Sequence, residues 1–196
     1  MSATFSNPGK MVIKPVHLAH VVLKTQVEQF QPMVEFYKTF LNATVTYQNH
    51  VVSFLTYDEE HHRIAIGRFP HVTPRVPTAS GLVHIAFNFA SLHDLALAYL
   101  QRKAHGIEPF WCVNHGLTTS MYYRDPDGNE IETQVENFES PEEATSFTMS
   151  EKFAENPIGT DFVPEDLIRR IEAGEEDKEI KKRVETGKRM APLPIF

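Results

Sequence analysis

Cysteine is almost absent from this chain, with Cys112 the only one. An internal disulfide is excluded, a sulfur-ligated cluster has no ligands, and a reducing cytoplasm is the expected location. No apolar run is long enough to cross a bilayer, and the opening "MSATFSNPGKMVIK" lacks an apolar signal core, so neither membrane insertion nor export is expected. Positive charge is short as well. Nineteen Lys and Arg stand against 26 Asp and Glu, a formal net charge of −7, which speaks against a nucleic-acid groove, because phosphate binding needs a basic face. What the chain does have is ten histidines. Any metal site would be ligated by nitrogen and oxygen, a donor set that suits iron, manganese or zinc. At 196 residues, 41% hydrophobic and 23% charged, the chain has the bulk of one globular domain or two small fused modules.

Patterning divides it further. Residues 1–12 read as a loose lead-in. Residues 13–72 and 80–137 carry the same order of elements, a weak internal echo. Each opens with an alternating strand ("VHLAHVVLKT", "GLVHIAFNFA"), continues with a helix, and ends in three short strands. The first helix is marked by Phe30, Met33, Val34, Tyr37 and Leu41 at helical spacing, the second by Ser91 as its cap and Gly106 as its stop. One helix cannot cover both faces of four short strands, so two βαβββ modules should pair side by side and leave a concave mixed sheet as the pocket. The expected class is thus α+β, with residues 138–196 as a C-terminal helical tail. Two short helices are expected there, over "VPEDLIRRIEAG" and "EEDKEIKKRVETGK". The plain expectation is a solvated appendage; a lid over the pocket or an arm on a partner subunit is the alternative.

His20 in "LAHVVL" and His84 in "LVHIAF" occupy the same place in the two modules, each between apolar neighbours. A lone histidine in such a setting is more often a hydrogen-bonded core residue than a ligand. Two at equivalent positions would converge if the modules pair about a pseudo-twofold axis, and Glu132 in the last strand would add an oxygen. The position matching Glu132 in the first module falls near Ala65 in "RIAIG", which cannot coordinate. Two imidazoles and one carboxylate leave open positions on an ion, an arrangement that fits non-haem Fe(II) enzymes binding both a substrate and O₂. "DPDGNE" lacks the acidic pattern of a calcium loop and reads as turn chemistry.

"HLAHVVLKT", "GLVHIAF" and "HGLTTSMYYRDPDGNEIE" resemble the vicinal oxygen chelate superfamily, and most closely its type I extradiol ring-cleavage dioxygenases, over about residues 14–136. The resemblance implies paired βαβββ modules and His20, His84 and Glu132 as ligands of Fe(II), with Mn(II) as the alternative ion. It implies a catalytic Tyr122, ten residues before Glu132, and a catalytic His115 in the "HG" turn. It also implies an acid-base histidine near bound O₂, for which His71, thirteen residues before His84, is the candidate. The surroundings of His71 depart from the family pattern, and the step from His115 to Tyr122 is slightly short. The chain has one pair of modules where many members have two.

The implied activity is cleavage of a catechol-type aromatic ring with O₂, an oxidoreductase of aromatic-compound catabolism. The implied partners are the small aromatic substrate and O₂, with no nucleic acid and no membrane, and a homo-oligomer left open. Two other readings stand beside it. One is a glyoxalase-like isomerase or lyase, or a transferase, on the same scaffold. The other is a metal-free protein that sequesters an aromatic compound. Plainer roles compete residue by residue: Tyr122 or Tyr123 packs in the core, His115 is an ordinary turn residue, Arg124 pairs with a surface acid, and Cys112 lies buried beside Trp111 without chemistry.

Overall fold

A computed structural model describes residues 12–194, so nearly all of the loose lead-in and the final two residues lie outside it. The first module is β1 (Val21–Thr25), α1 (Phe30–Leu41), β2 (Thr44–Gln48), β3 (Val52–Thr56) and β4 (Ile64–Arg68). The second is β5 (His84–Asn88), α2 (Leu92–Ala104), β6 (Trp111–Asn114), β7 (Thr118–Arg124) and β8 (Glu130–Glu136). Strand order repeats, with β1-β4-β3-β2 in one sheet and β5-β8-β7-β6 in the other. In each, the opening strand runs parallel to the closing one and the rest are antiparallel.

The two sheets are separate; β1 and β5 are not hydrogen-bonded neighbours. The single concave sheet expected from the pattern is therefore two mixed sheets. What joins them is the packing of the helices. Phe30, Met33, Val34, Tyr37 and Phe40 form the buried stripe of α1, with Phe40 in the place expected of Leu41. Leu92, Leu95, Ala96 and Tyr99 do the same for α2. Both stripes enter one continuous core with Leu55 and Ile66 of the first sheet and Met121, Tyr123 and Ile131 of the second. The helix boundaries follow local chemistry. Ser91 accepts from the Asp94 N–H at the start of α2, and Gly106 (φ 73°) stands past its end. Asn42 in the left-handed region (φ 50°, ψ 39°) closes α1.

Two polar links cross between modules. Tyr37 Oη donates to Asp125 Oδ2 at 3.0 Å, tying α1 to the β7–β8 turn, where Asp125 also accepts from the Asp127 and Asn129 N–H groups. Arg102 of α2 donates twice to the Phe40 carbonyl, at 3.0 and 2.8 Å, at the end of α1.

The tail is docked, against the expectation of a solvated appendage. It forms α3 (Pro141–Thr148), α4 (Glu151–Glu155), β9 (Thr160–Asp161), α5 (Pro164–Glu172) and α6 (Asp177–Lys181). β9 adds to the free edge of β6, while Leu167 and Ile180 are buried in the core. Of the two helices expected from the sequence, the second is α6, only five residues long, with Ile180 buried; α3 and α4 were not expected. Among the described residues, no helix is long and apolar enough to cross a membrane.

Candidate metal and catalytic site

β5, β7 and β8 bring the second module's polar residues to one face. The parallel register sets Ala86 beside Glu132, two residues after His84; the antiparallel register sets Tyr122 opposite Glu132. Because side chains alternate along a strand, Ser120, Tyr122 and Glu132 share this face while Met121, Tyr123 and Ile131 enter the core. The core role thus falls to Tyr123. Tyr122 stacks on Trp111, ring centroids 4.8 Å apart at 25°.

His84 Nε2 lies 3.0 Å from Glu132 Oε2, and His115 Nε2 lies 4.0 Å from Glu132 Oε1. Tyr122 Oη is 3.0 Å from His115 Nε2. Glu132 is 5% exposed. Burial raises its pKa, but hydrogen bonds from His84, Ser120 and Tyr122 outweigh that and hold the carboxyl below its ordinary range. The same bond, donated to Glu132, raises the pKa of His84 against its own desolvation. His115 goes the other way: desolvation lowers its pKa, only partly offset by its hydrogen bond to the Ile158 carbonyl. Burial first, and then the Glu132 charge, push the Tyr122 phenol far up, so it stays protonated and can donate.

Two donors each about 2.1 Å from one ion, at right angles, are about 3 Å apart. His84 Nε2 and Glu132 Oε2 meet that spacing, so these two atoms fit a divalent cation. The third expected ligand stands elsewhere. His20 is exposed, one residue ahead of β1 rather than within it, and its ring rests on His62 with centroids 4.4 Å apart. Among the described residues, no group of three His, Cys, Asp or Glu is arranged to hold a metal. The segment before β1 is held by Arg63 Nη1, which binds the Leu18 and Ala19 carbonyls at 3.2 and 2.9 Å. Ala65 pairs with Val22 and so occupies, in the first sheet, the place of Glu132 in the second.

His71 is exposed in the loop joining the modules, with a left-handed backbone (φ 68°). No hydrogen bond joins it to His84, Glu132 or Tyr122 among the described residues. Arg124 pairs with Glu130 at 3.0 Å. Cys112 is buried, and desolvation pushes its thiol up to about 12, which leaves it inert. Sequence reasoning missed Ser120, although the strand period that selects Tyr122 also selects it. It missed Ile158 and Arg183 too, since nothing local marks a residue forty or more positions away as a neighbour of His115.

The family model described as the Glyoxalase/Bleomycin resistance protein/Dioxygenase superfamily matches residues 17–133. Two curated relatives from Rhodococcus globerulus are 44% identical. Biphenyl-2,3-diol 1,2-dioxygenase 2 matches over 157 residues, 80% of this chain and 82% of its own length. Biphenyl-2,3-diol 1,2-dioxygenase 3 matches over 175 residues, 88% of this chain and 90% of its own. Among solved structures, a glyoxalase/dioxygenase from Nostoc punctiforme superposes with a TM-score of 0.52 at 18% identity, covering 65% of this chain and 98% of that one. A glyoxylase/bleomycin resistance protein/dioxygenase domain from Frankia sp. EAN1pec gives 0.52 at 16%, with 63% and 99% covered. These two speak to the fold alone.

Proposed function

The chain belongs to the Glyoxalase/Bleomycin resistance protein/Dioxygenase superfamily, and on that premise we propose that it is an extradiol ring-cleavage dioxygenase acting on a catechol-type aromatic diol with O₂. Relatives named for biphenyl-2,3-diol at 44% identity point to a diol carrying a second ring. They also point to a metal without naming the ion. The observation that carries the reading on this chain is the convergence of His84, Glu132, Tyr122 and His115 on one face of the second sheet.

His84 and Glu132 would hold the ion, Fe(II) with Mn(II) as the alternative, and His20, the first module's counterpart of His84, is the third donor the resemblance implies, although in this structure its ring rests on His62. Bound there, a divalent cation supplies a common point of attachment for both reactants and favours ionisation of the diol hydroxyls. The chain's own groups do the rest. The ring of Trp111, stacked beside Tyr122, offers an apolar wall to an aromatic substrate. The Tyr122 hydroxyl and His115 form a hydrogen-bonded pair on the Glu132 side, placed to steady a substrate oxygen. His71 is the acid-base candidate the resemblance implies, supported by its place thirteen residues ahead of His84 in sequence, although in this structure it is exposed in the loop joining the modules.

Oxygen uptake by anaerobically purified, Fe(II)-loaded protein tests this, with biphenyl-2,3-diol and smaller catechols as substrates. We expect uptake matched by a yellow ring-opened product, and a loss of at least about a hundredfold in Glu132→Ala, the order expected when a preorganised charged group is removed. One metal per chain without oxygen uptake on any diol would move the reaction to the isomerase, lyase or transferase class. No stoichiometric metal would favour a binding protein.

A further inference from the structure

We propose that the C-terminal segment from Asn156 to Glu185 is a positioning element that sets the tautomer of His115, with the Ile158 carbonyl as the contact and Gly159 and Arg183 as the residues that hold that carbonyl in place. The inference rests on the dioxygenase reading only for its catalytic consequence; the tautomer itself follows from the contacts.

A carbonyl oxygen accepts and never donates. Because the Ile158 carbonyl is bonded to His115 Nδ1, the proton of the neutral ring is on Nδ1 and Nε2 is a bare acceptor. That acceptor faces the Tyr122 hydroxyl at 3.0 Å, so His115 Nε2 and Glu132 share the single phenol proton as alternative acceptors. With the proton on Nε2 instead, His115 would donate to Tyr122, and the phenol proton would be left to Glu132 alone.

The tail is built to deliver this carbonyl. Gly159 has φ +109°, and a Cβ there would collide with the Asn114 carbonyl and stand 2.7 Å from His115 Cα. Only glycine lets the tail come this close to the turn. Asn156 closes the loop from the other side: its Oδ1 accepts from the Gly159 N–H at 2.8 Å and its Nδ2 donates to the Gly159 carbonyl at 3.1 Å. Arg183, 6% exposed, donates from Nη1 to the Asn156 carbonyl at 2.7 Å and the His115 carbonyl at 3.3 Å, and from Nη2 to the Lys152 carbonyl at 3.0 Å. Its guanidinium therefore caps the end of α4 and the His115 turn together. Glu185 partners the charge at 2.9 Å. Asn114 Nδ2 donates to the Lys181 carbonyl at 2.8 Å and fixes the same turn to the end of α6. The contacts to the His115 carbonyl, the Asn156 carbonyl and Asn114 span 27 to 68 positions in sequence, and each ends within two residues of His115 or of Ile158.

The test reads the ring directly. Nitrogen-15 NMR of the full-length chain, chelated and again with diamagnetic Zn(II) added, reports which imidazole nitrogen of His115 carries the proton. The wild type is expected to show Nδ1–H with an unprotonated Nε2. Gly159→Ala and Arg183→Lys are expected to give a mixture or to transfer the proton to Nε2. Arg183→Lys keeps the charge but lacks the fork, and circular dichroism identifies a variant that has failed to fold. Loaded with Fe(II), both folded variants should lose kcat about tenfold or more, the scale of one misplaced acid-base group, with KM for the diol within about twofold. An Nε2–H signal in the wild type overturns the proposal. So does an unchanged Nδ1–H signal in both folded variants. A failed dioxygenase reading would leave a different record, with no oxygen uptake in the wild type and the NMR result intact.

Discussion

At the scale of residues, the site is a balance of one buried carboxylate against two histidines whose pKa values move in opposite directions. His84 is raised from its ordinary 6.5 and Glu132 is lowered from its ordinary 4.5. In the metal-free chain, a raised His84 contributes stability in full below pH 6.5 and loses it as pH rises through its folded value. A lowered Glu132 contributes in full above pH 4.5 and loses it as pH falls through its folded value. The pair should therefore stabilise most between those two ordinary values. Urea midpoints of the chelated wild type and His84→Ala, compared from pH 3 to 9, should differ most inside the window and converge on both sides. A difference constant with pH would show that the pair does not form. The roles of Tyr122 and Tyr123 belong to this scale too: strand period shows that they face opposite ways, but only Trp111 and Glu132, arriving from other strands, decide which one meets the site.

Among elements, the decisive contact is that of α2 on the end of α1. The Arg102 guanidinium lies over Phe40 at 4.0 Å and near Tyr123 and Phe89 at 5.3 Å each, while its Nη1 is buried without a partner. Desolvating the cation costs several kcal/mol. Two bonds to one carbonyl and the contact with the rings return an amount of similar size. The net value of Arg102 should then reside mainly in the volume it fills. Arg102→Ala is expected to lower stability by about 3 kcal/mol through the cavity it leaves, and Arg102→Met by less than half of that. Equal losses in urea unfolding would mean that the charge dominates.

For the whole molecule, the tail separates two pictures. A solvated appendage would tolerate substitution within about 0.5 kcal/mol. A docked one would not, and Leu167 at 6% exposure belongs to the main core. Leu167→Ala is expected to cost about 2–5 kcal/mol, read as a shift of the single unfolding transition. A midpoint within error of the wild type would return the tail to solvent.

The boundary between what was legible and what was not follows the range of the forces involved. The β-α-β-β-β order, the Ser91 cap, the stops at Gly106 and Gly174 and the turn at Asp125–Gly128 are set by side-chain period and by backbone preferences within a few residues. These the sequence by itself determined, together with Ala65 standing where a fourth ligand would have to be, since register follows from strand pattern. Three things were decided only by tertiary structure. The modules are joined through helices rather than through one sheet. His20 lies ahead of its strand, where Arg63 holds the preceding backbone. The tail carries Ile158 and Arg183 to His115. Each depends on groups dozens of positions apart meeting in a shared core or a shared hydrogen bond, and no local pattern of residues encodes which distant partner wins.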